Sequence, residues 1–172
     1  PESSQSKSIR LYKSTRFPTD WTFEKILIDN VSAADTTIFE KDGKWWMFVN
    51  IDSIDEDDHC SELSIFYCDN PVRSNWKAHL KNPVITDPKK ARMGGLISQE
   101  NSLYRVSQFQ GFLNYGEKSQ IYKIKSLTED EYSEDFIVTN YPYFDNNLIS
   151  THHLYSKENF TVFDAAKYLK IN

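Results

Sequence analysis

Thr36-Thr37-Ile38-Phe39-Glu40-Lys41-Asp42-Gly43-Lys44-Trp45-Trp46-Met47-Phe48-Val49 is the stretch that decides the fold. Two runs rich in β-branched and aromatic residues flank a Lys-Asp-Gly turn. Asp-Gly between such runs marks a tight hairpin, because the turn needs positive φ and these residues tolerate it. Two antiparallel strands are predicted here. Glu100-Asn101-Ser102 holds the same place ahead of Leu103-Tyr104-Arg105-Val106, and Asn also accepts a left-handed backbone.

The hairpin is one part of a repeat. Tyr12, Trp21, Asp35 and Trp46 return as Tyr67, Trp76, Arg92 and Tyr104, at offsets that grow from 55 to 58 residues. Slow growth places one-residue insertions in loops, where they are tolerated. A weaker third copy runs from Ile121-Tyr122-Lys123-Ile124 through His152 to Phe163. Pro18, Pro71, Pro83 and Pro88 fall between strands, where a missing N–H costs little. Thr128 to Ser133 reads as one helical turn or a loop. Four short strands per repeat is the signature of a propeller blade. The expected fold is therefore all-β, a single partial β-propeller over residues 1–172 with repeats near 8–50, 63–108 and 119–164. Three copies do not close a ring. Glu2 sits where Asn50 and Gln108 end their aromatic strands, so the chain is expected to begin in mid-blade, as part of a longer protein.

Bulk properties narrow the function. The chain has 172 residues, 15% of them aromatic, and a net charge of -5 without a long basic run, which argues against a nucleic-acid footprint. No apolar stretch reaches the roughly 18 residues of a membrane span, and the N-terminus lacks the blocks of a signal peptide. Cys60 and Cys68 read as reduced thiols, which favours a cytoplasmic location. No cofactor is expected, because no Gly-rich phosphate loop, HExxH or nucleophile elbow occurs. The acidic run from Asp52 to His59 lacks the Gly and Glu of a calcium loop, and reads as a solvated connection.

The internal alignment points to two sets of site residues. Asp35, Arg92 and His152 or His153 occupy equivalent inner-strand starts. A purely structural repeat would keep one small or apolar type there; acid, guanidinium and imidazole instead predict a polar pocket. A carboxylate beside a guanidinium keeps its charge, available as a base or as an acceptor for sugar hydroxyls. The second set, Glu2, Asn50 and Gln108, closes the aromatic strands with planar hydrogen-bonding groups suited to a sugar. Arg105, three residues before Gln108, either reaches the same cleft or points outward. Trp45, Trp46 and Tyr104 read as packing between strands rather than as sugar platforms.

Several motifs carry a resemblance. Ser8-Ile9-Arg10-Leu11-Tyr12 to Phe17-Pro18-Thr19-Asp20-Trp21 leads into Ala34-Asp35-Thr36-Thr37, then Asn82-Pro83-Val84 and Ala91-Arg92-Met93-Gly94-Gly95. Leu103 to Gln108, Tyr115-Gly116, Leu127 to Glu134 and Thr151-His152-His153 to Asp164 follow. In order and spacing these resemble the N-terminal domain of the glucosamine inositolphosphorylceramide transferase family. That domain is similar to the five-bladed propeller of family-43 and family-32 glycoside hydrolases. The resemblance implies a carbohydrate context, with a glycan or nucleotide-sugar ligand and a transferase domain that is fused or a partner. In the hydrolases a carboxylate opening an inner strand acts as base, and Asp35 matches that place. Their general acid is a Glu from a later blade, whereas Arg92 and the histidines stand at those starts here.

Three functions follow as expectations. The first is a sugar-binding propeller serving polysaccharide or glycolipid assembly. The second is a glycosidase with Asp35 as base and Glu2, or a carboxylate elsewhere, as acid. The third is a protein-interaction propeller, since fold alone does not dictate function.

Overall fold

The computed structural model describes residues 2–3, 6–54, 56–110, 116–143 and 145–168, with backbone only for 2–3. All regular structure among them is β-strand.

The chain opens with β1 (Glu2–Ser3), β2 (Ser8–Arg16) and β3 (Asp20–Asp29), an antiparallel sheet. Next comes a four-stranded antiparallel meander of β4 (Ser32–Lys41), β5 (Lys44–Asp52), β6 (Ser64–Cys68) and β7 (Lys77–Ala78). The same arrangement recurs in β8 (Met93–Gln99), β9 (Ser102–Phe109), β10 (Lys118–Leu127) and β11 (Tyr132–Asn140). Four short strands follow: β12 (Leu148–Ser150), β13 (Leu154–Lys157), β14 (Phe160–Phe163) and β15 (Ala166–Lys167). β12 pairs with β15. The β13–β14 hairpin instead joins the second meander, β13 lying parallel to β8 through Ser156–Ile97 and Lys157–Ser98.

The opening hairpin forms as its residues require. Lys41 pairs with Lys44, and Asp42 and Gly43 between them have φ of 54° and 74°. Two positive φ values in a two-residue loop match the right-handed twist of the strands. Glu100 and Asn101 do the same between β8 and β9, at 46° and 62°. Thr128 to Glu131 is a turn between β10 and β11, closed by Thr128 N–H to the Glu131 carbonyl and by Glu131 N–H to Thr128 Oγ1.

β5 lies at the centre of the packing. Its side chains alternate, and both faces are buried. Trp46 and Phe48 enter a core with Leu63, Ile65, Ile85, Ala91, Met93 and Ile124, between the two meanders. Met47 and Val49 enter the other core with Ile9, Leu27 and Ala33, against the first sheet. A strand covered on both sides reads as a continuous apolar run, as Trp45 to Val49 does. Trp46 thus takes the packing role expected of it, lying against Tyr67 with centroids 5.8 Å apart.

The hydrogen-bonded sheets are phased half a unit from the sequence repeat. The first two repeats each supply the last two strands of one sheet (β2–β3, β6–β7) and the first two of the next (β4–β5, β8–β9). The third departs from this, since its β13–β14 hairpin rejoins the sheet that holds β10 and β11. Every sheet is open, and no ring closes among the described residues.

Candidate functional site

Five residues, Ala91 to Gly95, form the hub around which most of the predicted site residues gather. Asn50, at the end of β5, is wholly buried. Its Nδ2 donates to the carbonyls of Glu62 at 2.7 Å and Ala91 at 3.0 Å, and its Oδ1 accepts the Met93 N–H at 2.8 Å. Gln108, at the end of β9, is also buried; its Nε2 donates to the Met93 carbonyl at 2.6 Å, and its N–H donates to the Arg92 carbonyl at 2.9 Å. These two amides hold the start of β8 from both sides.

Between them Arg92 turns its guanidinium to Asp35, with Nε donating to Oδ2 at 2.6 Å and Nη1 to Cys60 Sγ at 3.2 Å. The pair still reaches solvent, the Arg92 and Asp35 side chains being 16% and 27% exposed. Asp35 has φ of 55° and sits in a register shift between Ala34 and Thr37. A bulge of this kind re-aims a side chain, and a left-handed non-Gly residue stores strain that often marks a functional position.

The histidines arrive from the third repeat. His152 Nδ1 pairs with Asp164 Oδ2, while Asp164 Oδ1 accepts the N–H groups of His152 at 3.1 Å and His153 at 2.8 Å. Burial opposes the Asp164 charge, but these bonds win and hold its carboxyl below the usual carboxylate range. His152 and His153 cross β8 so closely that a Cβ on Gly94 would lie 2.5 Å from the His152 carbonyl. A Cβ on Gly95, at φ of 120°, would overlap the Leu154 carbonyl. A Cβ on Gly116 would lie 2.6 Å from that of His152. The glycines leave the room in which the histidine segment lies.

This close approach predicts a measurable asymmetry. Gly95→Ala should lower stability by at least about 1–3 kcal/mol, through strain and displacement of β13. Gly43→Ala meets nothing within 4 Å and carries only the cost of its φ of 74°, about 1–2 kcal/mol. Hydrogen exchange separates the two, because only the Gly95 variant should lose protection in β13.

Arg105 lies elsewhere. Residues 105 and 108 are an odd number apart on one strand, so their side chains leave opposite faces. Arg105 is fully buried between the meanders, bidentate to Glu134 at 2.7 Å for both bonds and donating to the Lys90 carbonyl at 2.9 Å. Its guanidinium lies 5.0 Å from the Tyr122 ring. Burial acts to lower its pKa, but the Glu134 bonds override this and raise it. Glu2 pairs its backbone with Ile9 in β1, which runs beside β4; its side chain lies outside the described residues.

Elsewhere the acidic run organises itself. Asp52 accepts the N–H groups of Ile54, Glu56 and Asp57, and Asp58 those of Cys60 and Ser61. No group of three or more metal-ligating side chains occurs among the described residues. No helix among them is long and apolar enough to cross a membrane.

Asp164 and the glycines carried no role in the sequence reading. The Gly94-Gly95 pair after Arg92 was the available signal for a close backbone approach. Asp164 had none, since its partners are twelve and eleven residues away.

Comparison with known proteins gives the chain a family, over a stretch that ends before His152, His153 and Asp164. Residues 1–147 match the family model described as glucosamine inositolphosphorylceramide transferase 1, N-terminal. Proteins of that name from Oryza sativa subsp. japonica and subsp. indica are each 39% identical over 137 residues, covering 78% of this chain and 18% of theirs. The Arabidopsis thaliana protein of that name is 33% identical over the same length and shares. The chain thus spans under a fifth of the length of the relatives it matches. No solved structure matches it. With most of its length inside the model, this chain belongs to the glucosamine inositolphosphorylceramide transferase 1 N-terminal family.

Proposed function

We propose that this chain is part of a β-propeller that binds a glycan or nucleotide sugar in glycolipid or polysaccharide assembly, with glycosyl transfer left to a fused or partner domain. Two consecutive four-stranded meanders, packed face to face through one apolar core, support the propeller reading. The observation that carries the ligand reading is the half-open Asp35–Arg92 pair at the hub where Gln108 and the His152–Asp164 pair meet. Arg92, held by Asp35 and Cys60, sets a fixed positive charge beside solvent that suits phosphate or hydroxyl oxygens, and Asp35 offers acceptors. The relatives' name joins glucosamine, transfer and a phosphorylated lipid, which agrees with such a ligand.

Calorimetric titration against a panel of glycans and nucleotide sugars tests this. At least one should bind, and Arg92→Gln should weaken it about tenfold to a hundredfold, the value of a charge-assisted hydrogen bond. Uniform absence of binding would overturn the proposal. A hydrolytic reading draws on one observation, the strained backbone at Asp35. Asp35→Asn should then abolish turnover of a bound glycan while sparing its binding; turnover that survives removes Asp35 as base.

A further inference from the structure

We infer that the stacked pair Tyr141 and Tyr143 is a second carbohydrate platform, taking the C–H face of a neutral pyranose within a glycan. The two rings lie 5.0 Å apart and only 5° from parallel. Both are turned to solvent, Tyr141 at 41% and Tyr143 at 75% exposure, while Pro142 between them is buried. The proline anchors the segment, so its neighbours project together.

Beneath them the stack continues. The Lys118 ammonium lies 5.4 Å from the Tyr141 centroid and 4.1 Å from that of Phe109, with Glu117 at 3.7 Å. Ring faces are electron-rich and hold a cation between them. Tyr141 is thus in contact with both the Lys118 ammonium and the Tyr143 ring, and Tyr143 is the more exposed of the two rings. Large exposed rings are costly to leave in water, and one braced in a fixed orientation is already ordered for a ligand.

The chemistry of that face selects the occupant. Sugar C–H groups carry slight positive charge and meet a ring's negative face as other hydrogens do, while the phenol can bond a neighbouring hydroxyl. A nucleobase also stacks, but its recognition draws on cations for the phosphate, and Lys118 is already engaged by two rings and Glu117.

The platform's position adds weight. Gln108 pairs with Ser119, and Ser119 with Asn140, so Tyr141 lies one residue past that row. Strands are about 4.8 Å apart, which puts the platform roughly 10 Å along the sheet from Gln108, at the same end. Its ligand class rests on the function proposed above; its geometry does not.

Cellotetraose is a suitable probe, because all-equatorial β-linked glucose presents flat C–H faces. Saturation-transfer NMR on the chain should show contact through ring C–H protons, with calorimetry giving the affinity. Tyr143→Ala should weaken binding about tenfold or more, and Tyr143→Trp should retain it. Neither substitution should move the unfolding midpoint, since the side chain is exposed. Absence of cellotetraose binding, or binding indifferent to Tyr143→Ala, would overturn the inference. So would uridine monophosphate protecting Tyr143 in place of the glycan. If a panel ligand binds through Arg92 and ignores Tyr143, the platform falls while the proposed function stands. If cellotetraose binding survives Arg92→Gln and is lost in Tyr143→Ala while no panel ligand depends on Arg92, the platform stands and the Arg92 site is what fails.

Discussion

Replacing Arg105 by methionine should destabilise the fold by about 3–5 kcal/mol, a large share of a domain's total stability. Methionine keeps the apolar stem and roughly the volume, so the loss comes from the charge it leaves behind. Glu134, 5% exposed, would then be a buried carboxylate without its two guanidinium bonds. The Lys90 carbonyl would lose its donor as well. Urea unfolding should show a lower midpoint with unchanged slope, and the thermal midpoint should fall by roughly 10 °C for a chain of this size. The companion variant separates pair from packing. Arg105→Met combined with Glu134→Leu removes both charges and should recover at least half of the loss. A single variant as stable as the parent would mean that the pair is reached by water.

Arg105 also shows where reading the sequence stops. Its place on β9 follows from the Tyr104-Arg105-Val106 run, and β-strand alternation separates it from Gln108. What alternation does not reveal is which face is dry. That depends on Glu134, from a strand 29 residues away, and on Tyr122 packing against the guanidinium. The hairpins were legible because their chemistry is local: Asp42-Gly43 and Glu100-Asn101 fix positive φ within two residues. The repeat was legible because equivalent residues recur, and it placed Asp35 and Arg92 in register; the structure brings them together at 2.6 Å. The parallel pairing of β13 with β8 was not legible, because nothing near Leu154 signals a partner 59 residues earlier in the chain. Asp164 was missed for the same reason. Two of the hydrogen bonds to its carboxylate come from backbone groups, which look alike in every sequence, and its side-chain partner His152 lies twelve residues away.

Asn50 carries the second large effect. Alanine there should cost about 3–5 kcal/mol, because three partners lose their bond together: the half-buried Glu62 carbonyl, and the buried Ala91 carbonyl and Met93 N–H. Ladder pairing supplies no substitute for the carbonyls, since Glu62 and Ala91 lie just before β6 and β8, and the Met93 N–H at the first residue of β8 is bonded to Asn50 Oδ1. Aspartate is the sharper test. It keeps the shape and the Oδ1 acceptor for Met93, but turns the donor facing two carbonyls into a second oxygen. An ionised side chain there would face two carbonyl oxygens in a site with no exposed surface. Asn50→Asp should therefore be at least as damaging as alanine at neutral pH. Part of its stability should return as the solution is acidified, because the protonated carboxyl can donate to one of the two carbonyls. Sign and direction follow from a carboxyl whose folded pKa is raised, so that the native state binds a proton more tightly than the unfolded chain. Urea midpoints for both variants across the acid range check this, and equal pH dependence for alanine and aspartate would show that the side chain is not held in the buried site. The same variants bear on the ligand. Asn50 holds Ala91 and Met93 on either side of Arg92, so a destabilised but folded Asn50→Ala protein should bind sugar more weakly without touching it.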